Sequence, residues 1–231
     1  MPQQPKTVGA VSRSSYYLQC RALAQSKRIE HSIKTETLNL NVMAKVYKAE
    51  GITIDRKKLK GRIKAAYYCD DGDCSVLVNS SLPREPKLFA MAHELKHHYL
   101  DQEQILNGQI ECGDYNANEL IEKGGEVFAA EFIYPEQEMR QLLGQMKISS
   151  DNCTADTIVL LKRACPACVS YTFLVKRLKR FGLCDEEAFR NVQFRKLEEN
   201  IYGVPIYKRT CFKLARQRKS KRLKSNGEVN M

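Results

Sequence analysis

The sequence predicts an α+β fold in which a small antiparallel sheet lies between helical regions and is followed by a helical extension. Three observations carry this prediction. Apolar residues recur at helical spacing before residue 50, short β-rich runs surround the turn sequence DDGD, and helical spacing returns after residue 150. With 231 residues, 43% of them hydrophobic, the chain can fill the core of one ordinary domain with an appendage, or of two small domains.

The first helical region runs from about Tyr16 to Ala49, where Leu38, Val42 and Val46 recur every four residues. This spacing predicts one or two helices. The helical spacing then gives way to three short β-rich runs, GITID, RIKAAYYC and CSVLVN, of which the last two are joined by DDGD. These runs predict the antiparallel sheet.

Two of the nine cysteines, Cys69 and Cys74, flank the DDGD turn, and a hairpin would place them nearly opposite each other. The odd cysteine count and the opening MPQQPKTVGAVSRSSYY, which has no apolar leader segment, favour reduced thiols. We therefore expect a cytoplasmic protein in which this pair is not oxidised.

Two helices are predicted downstream of the sheet. Pro86 fits the first turn of one helix that runs through Leu100. The second covers about Asn118 to Ile133 and is stopped by Pro135.

The region after residue 150 contains TADTIVLLKRA, a break at CPAC, and SYTFLVKRLKRF. Ser170 is the expected N-cap of the second helix, Gly182 its stop, and another helix is expected from Asp185. The outline resembles a helix-turn-helix, although most such pairs only pack on each other. The predicted organisation is an α+β domain over 1–140, a helical extension over 150–204 and a flexible basic tail over 205–231.

The formal charge of +11 is concentrated at the end of the chain. Nine basic residues lie between 208 and 224, and the last 24 residues contain one acid, Glu228, so the tail carries +8 and the rest about +3. Such a tail is typical of a solvated extension, with a weak contact to nucleic acid or to an acidic partner as the alternative. No apolar run is long enough to span a bilayer, so no membrane partner is expected.

The segment AMAHELKHHYL at 90–100 contains a candidate metal site. On a helix, His93 and His97 lie about 40° apart and can reach one ion, and Glu94, about 100° from His93, is placed as a general base for a water. An apolar stripe anchors one face of the helix in a core, with His93 and His97 at its edge; it consists of Leu88, Met91, Ala92, Leu95 and Tyr99. We expect His98, and His31 in the first helical region, to be surface residues.

A catalytic zinc needs a third protein ligand, and ELIEKGGEVFAAEFIYP offers Glu122 and Glu126, one helical turn apart. Glu122 can coordinate the metal from this second helix. Glu126 can accept a hydrogen bond from the far nitrogen of a ligand histidine and so fix its tautomer. The alternative for two glutamates on a helix is plain surface charge.

These residues resemble the ImmA/IrrE-type metallopeptidases, in which an HExxH helix is followed by a helix of the pattern ExEAxxFAxxLLMP. The match runs through HELKH and EKGGEVFAAEFIYP, with Phe128, Ala129, Ala130 and Pro135 in register. VSYTFLVKRLKRFGL also resembles the family's later segment, so the resemblance covers about residues 40–185.

The resemblance implies a zincin-like metallopeptidase fold, with Zn²⁺ held by His93, His97 and Glu122 and with Glu94 as the catalytic base. It also implies the function, since such proteins often cleave a helix-turn-helix transcriptional repressor and thereby relieve repression. The implied activity is that of a zinc metalloendopeptidase of the antirepressor type.

Lys96 and the pair Gly124 and Gly125 depart from the family pattern, which commonly has a small residue at the first position and Glu-Ala at the pair. A glycine costs a helix interior about 1 kcal/mol, so either the second helix packs very closely there or it is locally weak. The alternative function is a DNA-binding or sensor regulator whose protease-like domain does not cleave. A second zinc site at Cys165 and Cys168 is disfavoured, because Pro166 already explains the break at CPAC.

Overall fold

The computed structural model describes residues 12–59, 63–108 and 119–203. The chain divides into two compact units, the first comprising residues up to 146 with 165–173, and the second comprising 147–164 with the residues from 174 onward. The predicted boundaries of the α+β domain and the helical extension stay a prediction. The predicted tail at 205–231 lies outside the described residues.

Local capping explains where the first helices begin. The helices of the first unit are α1 (Arg13–Glu30), α2 (Leu40–Ala49), α3 (Arg84–Lys96), α4 (Gln102–Leu106), α5 (Glu119–Ile133) and α6 (Glu136–Gln145). Ser12 Oγ accepts the backbone N–H of Ser15 at the start of α1, and Asn39 Oδ1 accepts those of Asn41 and Val42 at the start of α2. The predicted one or two helices before residue 50 are therefore two.

Three strands form the sheet: β1 (Thr53–Lys57), β2 (Ala65–Asp70) and β3 (Asp73–Asn79). The predicted hairpin of β2 and β3 is present, and Asp71 and Gly72 at its turn both have positive φ, as a tight two-residue turn requires. However, β1 pairs with β3 in parallel, so the sheet is mixed rather than antiparallel throughout. The order is β1-β3-β2 because β3, with Val76 and Val78 fully buried, pairs along both edges.

Cys69 and Cys74 are register partners across the hairpin and form a disulfide. The predicted juxtaposition is confirmed, whereas the expectation that the pair is reduced is wrong for this structure. Two residues directly opposite each other across antiparallel strands are close enough for the bond to form without moving the backbone.

The helices α1 and α3 both pack against α5, and their buried faces form the core of the first unit. The predicted stripe is confirmed at Leu88, Met91, Ala92 and Leu95, which are buried, whereas its last member, Tyr99, is partly exposed. Helix α3 ends at Lys96, and a π-helical turn over His97–Asp101 carries the chain on into α4. The helix predicted to run through Leu100 thus changes its hydrogen-bonding pattern at the second histidine of the motif.

The later helices are α7 (Ala155–Ala164), α8 (Tyr171–Arg180) and α9 (Phe194–Tyr202). Ser170 Oγ accepts the backbone N–H of Phe173, and Gly182 has a φ of +72°, so the predicted cap and stop of α8 are confirmed. A 3₁₀ turn over Glu187–Phe189 replaces the start of the helix expected from Asp185. Within the described segments, no helix has both the length and the apolar character needed to cross a bilayer.

Candidate metal centre

The packing of α3 against α5 brings the predicted ligand atoms together. His93 Nε2 lies 3.1 Å from Glu122 Oε2, and His97 Nε2 lies 3.1 Å from His93 Nε2 and 3.7 Å from Glu122 Oε1. His97 and Glu122 are buried, and His93 retains 12% of its side-chain exposure. The ligand atoms of the three side chains therefore converge on one point.

The spacing of these atoms fits a metal ion. Tetrahedral zinc with Zn–N and Zn–O bonds of about 2.0–2.1 Å holds its ligand atoms about 3.3 Å from one another, and the observed separations of 3.1–3.7 Å bracket that value. Two imidazoles and a carboxylate are ligands that zinc accepts. The group can therefore hold a metal ion.

Glu94 is buried and only 6% exposed. Burial raises its pKa, against the lowering effect of His93, His97 and a backbone hydrogen bond from Tyr67. Its Oε2 atom is buried and has no hydrogen-bond partner among the described residues. A buried carboxylate oxygen without a partner is unusual. In the residue that follows His93, it can accept a proton from a water bound at the ligand group.

Asp101 occupies a position beside His97 that we had not predicted. Its Oδ2 atom lies 2.7 Å from His97 Nδ1, so the carboxylate accepts the far N–H of the ring and leaves Nε2 to face the ligand group. The spacing of a histidine and an aspartate four residues apart was the sequence signal for this contact. For the other ring, burial lowers the pKa of His93, but the hydrogen bond that the ring donates to Glu122 and the charges of Glu94, Glu122 and Glu126 raise it overall. The role of Glu126 stays a prediction.

The two glycines of α5 are explained by close packing. A Cβ atom on Gly124 would lie 2.6 Å from Cε1 of Tyr16 in α1 and 3.1 Å from Sγ of Cys20, and one on Gly125 would collide with the ring of His93. Of the two alternatives left by the sequence, very close packing is therefore correct. The glycines let α1 and α3 approach α5 closely enough for the ligand atoms to converge.

His31 and His98 are not the surface residues that we expected. His31 Nε2 lies 2.7 Å from Glu50 Oε1, and His98 Nδ1 lies 3.0 Å from the hydroxyl of Tyr67, with 12% and 13% side-chain exposure. Glu50 also accepts a hydrogen bond from the hydroxyl of Tyr99 at 2.7 Å. These polar side chains are covered because each finds a partner from a distant part of the chain.

A second group of converging carboxylate and imidazole atoms consists of Glu30, His31 and Glu50. The ammonium of Lys27 lies 3.0 Å from Glu30 and 3.3 Å from Glu50, so a protein cation already neutralises these carboxylates. Among the described residues, neither converging group contains a cysteine. The arrangement beside Glu94 is thus the better candidate for a metal.

The sequence model of a peptidase family, described as the IrrE N-terminal-like domain, matches residues 47–179, more than half of the chain. The match spans the sheet, α3 and α5, and so contains every side chain that meets at the candidate metal centre. No curated protein matches the chain significantly. The chain belongs to the ImmA/IrrE family and carries a metallopeptidase-type domain of mixed α+β, zincin-like architecture.

Proposed function

We propose that the chain is a zinc-dependent metalloendopeptidase whose substrate is a helix-turn-helix transcriptional repressor, so that cleavage relieves repression. The observation that supports the activity is the convergence of His93, His97 and Glu122 beside the buried carboxylate of Glu94. Catalytic zinc sites use three protein ligands of these types and keep one position open. The repressor as substrate follows from the family resemblance alone.

The roles of the side chains follow from their places. His93, His97 and Glu122 would hold the ion, which when bound supplies a Lewis acid and lowers the pKa of water to about 7. Oε2 of Glu94, the oxygen without a hydrogen-bond partner among the described residues, would take the proton of the attacking water. The same oxygen would then return the proton to the leaving amine as the C–N bond breaks.

A glutamine substitution separates the base from the ligands. Glu94→Gln keeps the shape of the side chain but cannot accept a proton, so we expect one zinc per chain, as in the unsubstituted protein, and cleavage slowed by at least about 100-fold. Glu103→Gln, at an exposed glutamate of α4, is the matched control and should cleave normally. Elemental analysis after dialysis gives the zinc content, and mass spectrometry of the products gives the rate.

Two substrates distinguish the two parts of the proposal. One is a folded helix-turn-helix repressor, chosen from the neighbouring genes if one of them encodes such a protein, and the other is a mixture of peptides from a digested proteome. Cleavage of the peptides but not of the folded repressor would keep the endopeptidase and reject the substrate. Undiminished cleavage by Glu94→Gln would reject the mechanism.

A second candidate function is a DNA-binding regulator that does not cleave. The observation that favours it is the exposure of Lys176, Lys179 and Arg180 on α8, together with the basic residues after 208. Three phosphate contacts from α8 would give a slope of about −2.7 for the logarithm of duplex-DNA affinity against the logarithm of salt concentration. Binding with such a slope by a protein that cleaves nothing would favour this candidate.

A further inference from the structure

The ammonium of Lys96 is completely buried inside the HExxH turn, where a cation is unusual. Its exposure is 0%, and it lies among α1, α3 and α5. A buried charge is tolerated only when its donors are satisfied and a counter-charge is close. Lys96 therefore needs hydrogen-bond acceptors and a negative charge close to its ammonium group.

Three partners surround the ammonium. Lys96 Nζ donates to Asp101 Oδ2 at 2.6 Å and to the backbone carbonyl of Ile121 at 3.0 Å, and it lies 5.3 Å from the centre of the Tyr16 ring. The first contact is a charge-assisted hydrogen bond, and the last is within range of a cation–π interaction. The ion pair, rather than solvent, thus satisfies this lysine.

The π-helical turn over His97–Asp101 explains how Asp101 reaches both partners. In a regular α-helix, residues five apart do not face each other, whereas the i to i+5 bonding of a π-turn brings them into line. Asp101 is five residues after Lys96 and four after His97. Its Oδ2 atom consequently lies 2.6 Å from Lys96 Nζ and 2.7 Å from His97 Nδ1.

These contacts act on both metal-bearing helices. In the π-helical turn that continues α3, Asp101 accepts the N–H of His97 Nδ1, which leaves Nε2 unprotonated and directed at the ligand group. On α5, the carbonyl that Lys96 binds belongs to Ile121, the residue immediately before the ligand Glu122. One buried lysine therefore connects the orientation of His97 to the position of Glu122.

We infer that Lys96 and Asp101 are positioning residues for the metal centre, which fix the tautomer of His97 and hold Glu122 of α5 at coordinating distance. This inference rests on the proposal that His93, His97 and Glu122 hold a metal ion, and it does not depend on the substrate. It assigns a role to Lys96, which stands where the family commonly has a small residue.

The test removes both charges together, so that neither is left unpaired in the core. Lys96→Met/Asp101→Leu keeps similar volumes, and replacing a buried ion pair by apolar side chains commonly leaves a protein at least as stable. Here the unfolding temperature should nevertheless fall, because the carbonyl of Ile121 and the N–H of His97 Nδ1 lose these partners. We expect the variant to fold and its zinc affinity to be lower by about 10- to 100-fold. The visible spectrum of bound Co²⁺ should change as well, because the imidazole of His97 is no longer held in place.

The matched control is the exposed ion pair of Glu119 and Lys123, which flanks Glu122 on the same helix. Glu119→Leu/Lys123→Met makes the same chemical change and should leave zinc affinity and the Co²⁺ spectrum unaltered. Zinc affinity is measured by competition with a chelator of known affinity. A double variant at Lys96 and Asp101 that binds zinc as tightly as the unsubstituted protein, with the same Co²⁺ spectrum, would overturn the inference.

A measurement on the unsubstituted protein covers the case in which the double variant fails to fold. In the zinc-loaded state, nitrogen NMR should show the proton of His97 on Nδ1, protected from exchange by Asp101. Metal bound through Nδ1 instead would overturn the inference while leaving the metal site in place. If the unsubstituted protein binds neither Zn²⁺ nor Co²⁺, the proposed function fails together with this inference.

Discussion

The ring of His93 lies against the backbone of Gly125: a Cβ atom added to this glycine would be 2.6 Å from Cε1, 2.7 Å from Nδ1 and 2.8 Å from Nε2 of the imidazole. Real Cβ atoms do not approach other atoms so closely. The absence of a side chain at position 125 is therefore a condition for the observed place of His93 in the ligand group.

Gly125→Ala should displace His93 and lower metal affinity by at least about tenfold, by analogy with the loss of a group that orients a ligand. It should do so although alanine favours the helix by about 1 kcal/mol. Gly144→Ala on α6 is the control, because no atom lies within 4 Å of the added Cβ. That variant should gain stability and keep its zinc, as measured by thermal unfolding and chelator competition. Normal zinc affinity in Gly125→Ala would show that metal binding does not require the observed position of His93 against residue 125.

Two neighbouring glutamates on α5 should respond differently to truncation. Glu122→Ala removes an anionic ligand, so the metal should be lost on dialysis. Glu126→Ala should be milder, within about 10- to 100-fold in metal affinity or activity, because its carboxylate would act through a histidine. Elemental analysis of both variants after dialysis checks the order, and loss of zinc from Glu126→Ala alone would mean that the third ligand lies one turn later.

Glu50 should contribute stability that depends on pH. Burial raises the pKa of Glu50, but the hydrogen bonds from Tyr99 and His31 and the charge of Lys27 lower it by more. The net shift of the pKa is therefore downward. His98 Nε2 also faces its carboxylate, at 3.8 Å. Because the folded pKa lies below the unfolded value of about 4.3, the stabilisation is complete above that value and is lost as the pH falls through the folded pKa.

Glu50→Gln should therefore destabilise the protein at pH 7 by about 1–2 kcal/mol, and the difference should shrink as the pH falls below about 4. Urea unfolding across this range measures it. Glu30→Gln is the control, since that carboxylate also pairs with Lys27 but is 52% exposed and should matter little. A difference between Glu50→Gln and the unsubstituted protein that grows on acidification would contradict the assignment.

The basic tail should be dispensable for chemistry. Removing residues 208–231 deletes a segment that contains none of the side chains of the metal centre. Zinc content and the rate of cleavage of a bound substrate should stay nearly unchanged, as single-turnover kinetics can show. A truncated protein that folds and binds its substrate but cannot cut it would contradict this prediction.

Local patterns were sufficient for the elements that depend on neighbours in the chain. The hairpin of β2 and β3, the end of α5 before Pro135 and the cap of α8 at Ser170 all follow from residues a few positions apart. The convergence of His93 and His97 was predictable for the same reason, because helical geometry alone puts them on one side. Glu122 needed the family resemblance, since no local rule chooses between two glutamates on another helix.

The sequence by itself determined the α+β class, the hairpin and the histidine pair, because these arise from backbone preferences and spacing within one element. Tertiary structure decided the parallel direction of β1, the hydrogen bond between His31 and Glu50, and the burial of Lys96 between Asp101 and Ile121. The physical reason is that each of these depends on a pairing or a desolvated charge contact between segments that only packing brings together. From sequence alone, a polar residue is predicted to lie at the surface, because its buried partner cannot be identified before the fold is known.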